Sequence, residues 1–211
     1  MVLSAQLTGG KKRRAYARSL GIILWVALCG GCKSDGNAFP PEVFSGISLT
    51  NQDNLPVDRA ALSGRVIVLN FMFTSCASVC PRQTRALVEV RAGLPEAVRG
   101  RVHFLSVSVD PDHDQPAVLK QFAGTFGADA AGWSFALSDE KGTRLLGTRL
   151  AAFDPGAEPV PSAHSGTVYL FDRAGRLVQR YHGAPIEVAH LAREIIAVDQ
   201  LKPSGARLAS K

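Results

Sequence analysis

The hydrophobic pattern is densest between residues 66 and 73, where one polar residue interrupts an otherwise apolar run. A run this continuous predicts a strand buried on both faces, not a strand with one wet side. Thr74 and Ser75 break it, Cys76 and Cys80 follow four positions apart, and Pro81 comes next. Thr and Ser are helix N-cap residues, and proline is tolerated in a first helical turn. The spacing therefore predicts a helix from the cysteines to about residue 93, with Leu87, Val90 and Leu94 on its buried stripe. A second strand is predicted over residues 101–110. Asp110 and Asp114 would then fix a turn and cap the next helix, which opens at Pro116 and buries Val118, Leu119, Phe122 and Phe126.

Beyond it, residues 133–137 read as a strand with Trp133 in the core, and residues 139–146 as a short helix. Residues 150–163 carry three prolines and a glycine, and a loop of that length is often functional. His164 heads a strand to residue 171, residues 172–175 form a hairpin turn, and residues 176–181 return. A closing helix over residues 185–198 turns Ile186, Ala189, Leu191 and Ile195 inward, and residues 47–49 predict a short first strand. Strand–helix alternation followed by a hairpin gives an α/β fold, a mixed sheet flanked by helices on both faces. A cysteine pair at the first buried strand–helix junction makes that sheet thioredoxin-like.

Charge changes the picture only by being localised. The formal net charge is +6, but five basic residues and no acidic ones precede residue 33. The remainder is nearly balanced, so nothing points to nucleic acid. The basic stretch ends at Arg18 and an apolar stretch follows over residues 20–28, too short to span a bilayer comfortably. Residues 1–32 therefore read as an export leader. It resembles a bacterial lipoprotein signal, with Gly31 before Cys32 as the acylated residue; Cys29 stands where an aliphatic residue is usual. Acyl chains on Cys32 would anchor the protein to the membrane; an uncleaved anchor or a simple secretory signal are the other readings. Residues 33–44 are a polar tether, 45–201 the folded domain and 202–211 a tail. The expected location is the cell envelope, on the oxidising, periplasmic side of the membrane.

Only Cys76 and Cys80 remain in the folded part. The start of a helix favours thiolates. In a regular helix, Cβ atoms four residues apart are about 5–6 Å from each other. That is wide for a disulfide, which needs roughly 3.5–4.5 Å, but suits two thiolates on one metal ion. If Cys76 lies in the turn outside the helix, a disulfide also becomes reachable. A structural disulfide or two core cysteines are the bland alternatives.

The phenylalanine and threonine before C-x-x-x-C-Pro81, the stretch from Ser108 through Asp110-Pro111 to Asp114 and Pro116, and a single His164 ahead of a Tyr-Leu strand together resemble the Sco/SenC family of membrane-anchored copper proteins. The resemblance covers roughly residues 40–200. It implies that Cys76, Cys80 and His164 bind one copper ion, Cu(I) or Cu(II). It also implies delivery to the copper-receiving subunit of a respiratory oxidase, with other copper carriers or thiol reductants as further partners. Thiolates suit Cu(I), and imidazole suits both oxidation states. Two positions depart from the family pattern: Ala77-Ser78 replaces the Pro-Asp of many members between the cysteines, and Ala163 replaces an acidic residue before the histidine. Both leave the thiol pair intact and tilt toward a second activity, thiol–disulfide exchange, with Cys76 attacking and Cys80 resolving. The other histidines are weaker candidates: His103 structural, His113 a solvated loop residue, His182 and His190 on the surface.

Overall fold

The computed structural model describes residues 42–153, 161–184 and 186–201. Among them are strands β1 (Thr50–Asn51), β2 (Val66–Met72), β3 (Val102–Ser108), β4 (Trp133–Leu137), β5 (Val168–Phe171) and β6 (Leu177–Tyr181). The helices are α1 (Arg59–Leu62), α2 (Val79–Gly93), α3 (Glu96–Arg99), α4 (Pro116–Phe126), α5 (Glu140–Leu150) and α6 (Val188–Asp199). The sheet order is β1-β4-β3-β2-β5-β6, with β2, β3 and β4 parallel and the remaining pairings antiparallel.

The apolar run at residues 66–73 is explained by its position. β2 lies near the middle of the sheet, between β3 and β5, and every residue in it is buried. Side chains alternate across a strand. Val66, Val68 and Met72 face one core with Leu87, Val90, Leu119, Leu191 and Ile195 from α2, α4 and α6. Ile67, Leu69 and Phe71 face a second core with Phe44, Leu62, Leu146 and Leu150 from the opposite layer. Helices on both faces, as the pattern predicts, leave β2 no wet side. Phe44, the last residue of the expected tether, already belongs to this second core; a 3₁₀ turn over Glu42–Phe44 carries it there.

Several local expectations are corrected. The first strand is Thr50–Asn51 and not residues 47–49. Val118 is 38% exposed; Leu119 and Ala123 form the buried face of α4, flanked by the half-buried rings of Phe122 and Phe126. Ala189 is exposed, whereas Ile186, Leu191 and Ile195 are buried. α5 runs on to Leu150, four residues past the predicted end. The short helices α1 and α3 have no hydrophobic period long enough to announce them. The leader, Cys32, most of the tether and the tail lie outside the described residues.

The burial difference along two helices gives a direct test by urea unfolding. Leu87→Ala is expected to cost about 2–5 kcal/mol, the range for a cavity in a packed core. Val118→Ala should cost less than about 1 kcal/mol, since little apolar surface is lost and alanine is the better helix former. Equal losses would mean that α4 presents a different face to the sheet.

Candidate metal centre

The chain leaves β2 at its C-terminal end and turns sharply. The Cys76 N–H donates to the Phe73 carbonyl at 3.3 Å, which closes the turn. α2 starts only at Val79, so Cys76 lies outside the helix and Cys80 in its first turn. Ser78 is the N-cap, without a side-chain cap bond; Thr74 and Ser75 do not cap the helix. Both cysteines are free thiols. Cys76 is partly exposed in the turn, whereas Cys80 is buried against the core behind it.

Those placements make the two thiols unequal. The Cys80 N–H, an unpaired donor of the helix N-terminus, points at Cys76 Sγ from 3.3 Å. Burial pushes the Cys76 thiol up, but bonds from the backbone at Cys80, Ser78 and Val79 and from the Cys80 thiol outweigh it and hold the pKa below its ordinary value. Burial pushes Cys80 up to about 12, aided by the negative charges of Cys76 and Asp114 and opposed by the Phe73 backbone. Cys76 is thus the more acidic of the two thiols and Cys80 the one that keeps its proton.

Asp114 is where the structure departs most from the sequence reading. The N-cap of α4 is Gln115, not Asp114. Asp114 is fully buried and reaches back across the ends of β2 and β3. Its carboxylate accepts from the Thr74 hydroxyl, from the Thr74 N–H at 3.1 Å and from the Ser108 hydroxyl at 2.6 Å. The Ser108 oxygen in turn accepts from the Asp110 N–H at 3.0 Å. One carboxylate therefore pins the first residue of the thiol turn. The sequence signal was present, a threonine before C-x-x-x-C and an acid after a parallel strand, but its target was not.

His164 does not head a strand; β5 begins four residues later. It sits in an isolated bridge with Phe153, and the next residues are tied down by Ser165 N–H to the Ala152 carbonyl at 2.7 Å and Gln83 Nε2 to the Gly166 carbonyl at 3.2 Å. Gly166 passes so close to α2 that an added Cβ would lie 3.6 Å from Val79, so the histidine segment runs along the helix that carries Cys80. The imidazole packs edge-on against Phe73, ring centroids 5.6 Å apart. Its Nδ1 donates to the Pro161 carbonyl, leaving the Nε2 lone pair for a ligand. Burial lowers its pKa against the opposing pull of the Pro161 and Phe71 carbonyls, so the ring is neutral. The structure thus joins the two sulfurs and sets the imidazole against the ring that opens the thiol turn. Among the described residues, no three His, Cys, Asp or Glu side chains are grouped closely enough to hold a metal ion.

The remaining histidines have ordinary roles. His103 is buried, bonded to Ser134 at 3.0 Å, and burial brings its pKa down to about 4. His113 is solvent-exposed and pairs with Asp110 at 2.7 Å. His182, exposed, bonds Thr167 at 3.1 Å, and His190 is exposed against Tyr181.

Comparison with known proteins follows this geometry. The SCO1/SenC family model matches residues 37–198. A SCO1 protein homologue of Bacillus subtilis strain 168 is 29% identical over 167 residues, covering 77% of this chain and 84% of its own. The crystal structure of a SCO1/SenC family lipoprotein from Bacillus anthracis superposes with a TM-score of 0.62 at 27% identity, over 72% of this chain and 91% of that one. Yeast Sco1 with copper bound superposes at 0.63 with 20% identity, over 78% and 93% of the two chains, a likeness of fold.

The inequality of the thiols predicts a simple pH profile. In the reduced protein, iodoacetamide should label Cys76 with an inflection below the ordinary thiol range of about 8.5. Cys80 should stay unmodified until strongly alkaline pH. Peptide mapping of the labelled sites decides it, and preferential labelling of Cys80 at neutral pH would reverse the assignment. Asp114→Ala strands the Thr74 and Ser108 donors and should cost about 2–4 kcal/mol in urea unfolding; a loss below about 1 kcal/mol would mean that the clamp is slack.

Proposed function

The chain belongs to the SCO1/SenC family, and we propose that it is a membrane-anchored copper carrier that serves the copper centre of a respiratory oxidase. The observation that carries the reading is the thiol pair: one sulfur of lowered pKa in a partly exposed turn, the second four residues away at the head of α2. Two thiolates are soft donors suited to Cu(I), and an imidazole extends the set to Cu(II). His164 would complete the site by leaving Phe73 for the sulfurs, so a third ligand could be added or withdrawn as cargo is taken up or passed on. Cys76, partly exposed where Cys80 is buried, is the sulfur an acceptor's ligand can reach first. Acyl chains on Cys32 would hold the protein on the periplasmic face of the membrane, with residues 33–41 as the tether. Among the described residues, no helix is long and apolar enough to cross a membrane.

A second reading is favoured by the inequality of the thiols itself. A depressed Cys76 beside an elevated Cys80 is the arrangement of an attacking and a resolving cysteine. The Cys76 thiolate would attack an acceptor disulfide, forming a mixed disulfide and releasing one acceptor thiolate. Cys80, on losing its proton, would displace the other acceptor sulfur and close a Cys76–Cys80 disulfide. The acceptor gains two electrons and the pair loses two, so a thiol reductant must restore it. His164 takes no part in that sequence.

Copper titration of the reduced, anaerobic protein separates the two. Wild type is expected to bind one equivalent of Cu(I) and of Cu(II). Cys76→Ala should weaken both, and His164→Ala should weaken Cu(II) selectively, by more than about tenfold, the scale of losing even a supporting partner. Undiminished binding without either cysteine would sink the carrier reading. Weak copper binding, with disulfide reduction at the same rate in wild type and His164→Ala, would establish the oxidoreductase.

A further inference from the structure

Three arginines converge at the opposite end of β2 from the thiols. Arg65 precedes the strand, Arg91 lies in the last turn of α2 and Arg99 ends α3. They line an open hollow of about 510 Å³ whose rim includes Glu96 and the backbone at Gly100 and Gly132. Each guanidinium is held by a single Nη on a main-chain carbonyl: Arg65 on Gly100 at 3.2 Å, Arg91 on Ala131 at 2.7 Å and Arg99 on Leu94 at 3.2 Å. A guanidinium carries five N–H donors in a rigid fork, so each keeps further Nη–H groups beyond the one that is bonded.

The charge of this cluster is not answered by the protein. Among the described residues none of the three arginines has an ion pair, although Arg101, next to Gly100, is matched by Asp199 at 2.5 Å, and Arg144, Arg173 and Arg176 are also paired. Glu96 lines the hollow but pairs with none of them. Arg99 Nε is buried without an acceptor, a state that buried polar groups rarely keep. Burial and the Arg99 charge together push the Arg91 pKa down, a repulsion that a bound anion would relieve.

We propose that this hollow is an anion site that takes a phosphate group, with its oxygens shared among the free N–H groups of Arg65, Arg91 and Arg99. Three preorganised forks around one concavity exceed what a single carboxylate can accept and match the several oxygens and the charge of a phosphate. A phospholipid headgroup and a free phosphate share that chemistry. The position gives the site a consequence in either case. About 20 Å of β2 separates it from the thiol turn, at roughly 3.3 Å per residue, so whatever binds here leaves Cys76 uncovered. A headgroup would turn the thiols away from the bilayer and toward the acceptor.

The test uses the full chain in neutral detergent, titrated by calorimetry with inorganic phosphate and, separately, with glycerophosphoglycerol, the water-soluble headgroup of phosphatidylglycerol. Saturable binding is expected, weakening with ionic strength. It should fall by about tenfold or more in Arg91→Gln and in Arg99→Gln, which remove charged bidentate donors. Arg144→Gln, a distant exposed control, should leave it unchanged. Arg65→Gln, outside any helix, supplies an independent variant should either of the others fold poorly. Tighter binding of glycerophosphoglycerol assigns a lipid headgroup, and tighter binding of inorganic phosphate assigns a free phosphate. Saturation by neither anion, or wild-type affinity in the arginine variants, overturns the site.

Discussion

Everything at the thiol site depends on a strand that cannot slip. Side chains alternate across a strand, so a one-residue shift of β2 would exchange Val66 and Val68 with Ile67 and Leu69 between two different cores. Its neighbours hold it from both edges: Val66 to Met72 pairs with Val102 to Ser108 on one side, and Ile67 to Asn70 with Val168 to Phe171 on the other. The strand also buries one polar residue, Asn70, whose side chain accepts from Ser106, which in turn accepts from Trp133 Nε1. That chain of bonds crosses β2, β3 and β4 and is satisfied in only one register. The thiol turn begins at the end of the strand so fixed, and α2 then packs its Leu87 and Val90 back on the same sheet.

The register delivers the turn; a buried carboxylate shapes it. Asp114 brings negative charge into the interior and is stabilised there by three donors. Two come from Thr74, at the head of the thiol turn, and one from Ser108, at the end of β3. The same charge acts on the sulfurs. It raises Cys80, the deeper thiol, and is not among the groups acting on Cys76. A single group therefore sets both the position of the turn and part of the difference between its two cysteines. Ala77 and Ser78 put no carboxylate between the cysteines, but Asp114, from the loop after β3, sets one where its charge acts on Cys80.

The sequence carried the architecture because architecture is written in periodicity. A nearly continuous apolar run marked β2, and the Leu87, Val90, Leu94 stripe marked α2. What it could not carry was direction. Val118 and Phe122 are both apolar on α4, and only the packing of Phe122 against Phe135 and Phe126 shows which way the helix is turned. Asp114 is another case: an acid two residues before Pro116 looks like a helix cap, and the chain folds it inward because Thr74 and Ser108 offer donors that are distant in sequence and adjacent in space. The strand–helix junction at the cysteines was legible from the end of the apolar run and from Pro81, although the residues expected to cap the helix, Thr74 and Ser75, do not. His164 was singled out by the family resemblance and not by its surroundings in the sequence, and its place against Phe73 and its Nδ1 bond to Pro161 arise from a local turn that no period encodes. The arginine hollow left no motif at all, since Arg65, Arg91 and Arg99 come from three separate segments.

The separation of the histidine from the thiols is itself informative. A resident metal is held by ligands fixed together in advance, with supporting bonds that keep them so. Here the sulfurs share one turn, whereas the imidazole is carried by a different segment and is kept in place by Phe73 and the Pro161 carbonyl. On the proposed reading, those contacts would compete with coordination of the ring and so lower the net gain from adding it as a third ligand. A protein that must release what it binds benefits from such competition, because a completed site that is only modestly favoured can be reopened by an acceptor. On the proposed reading, carrying copper and exchanging disulfides would be two uses of one turn, and only the first would call on the imidazole.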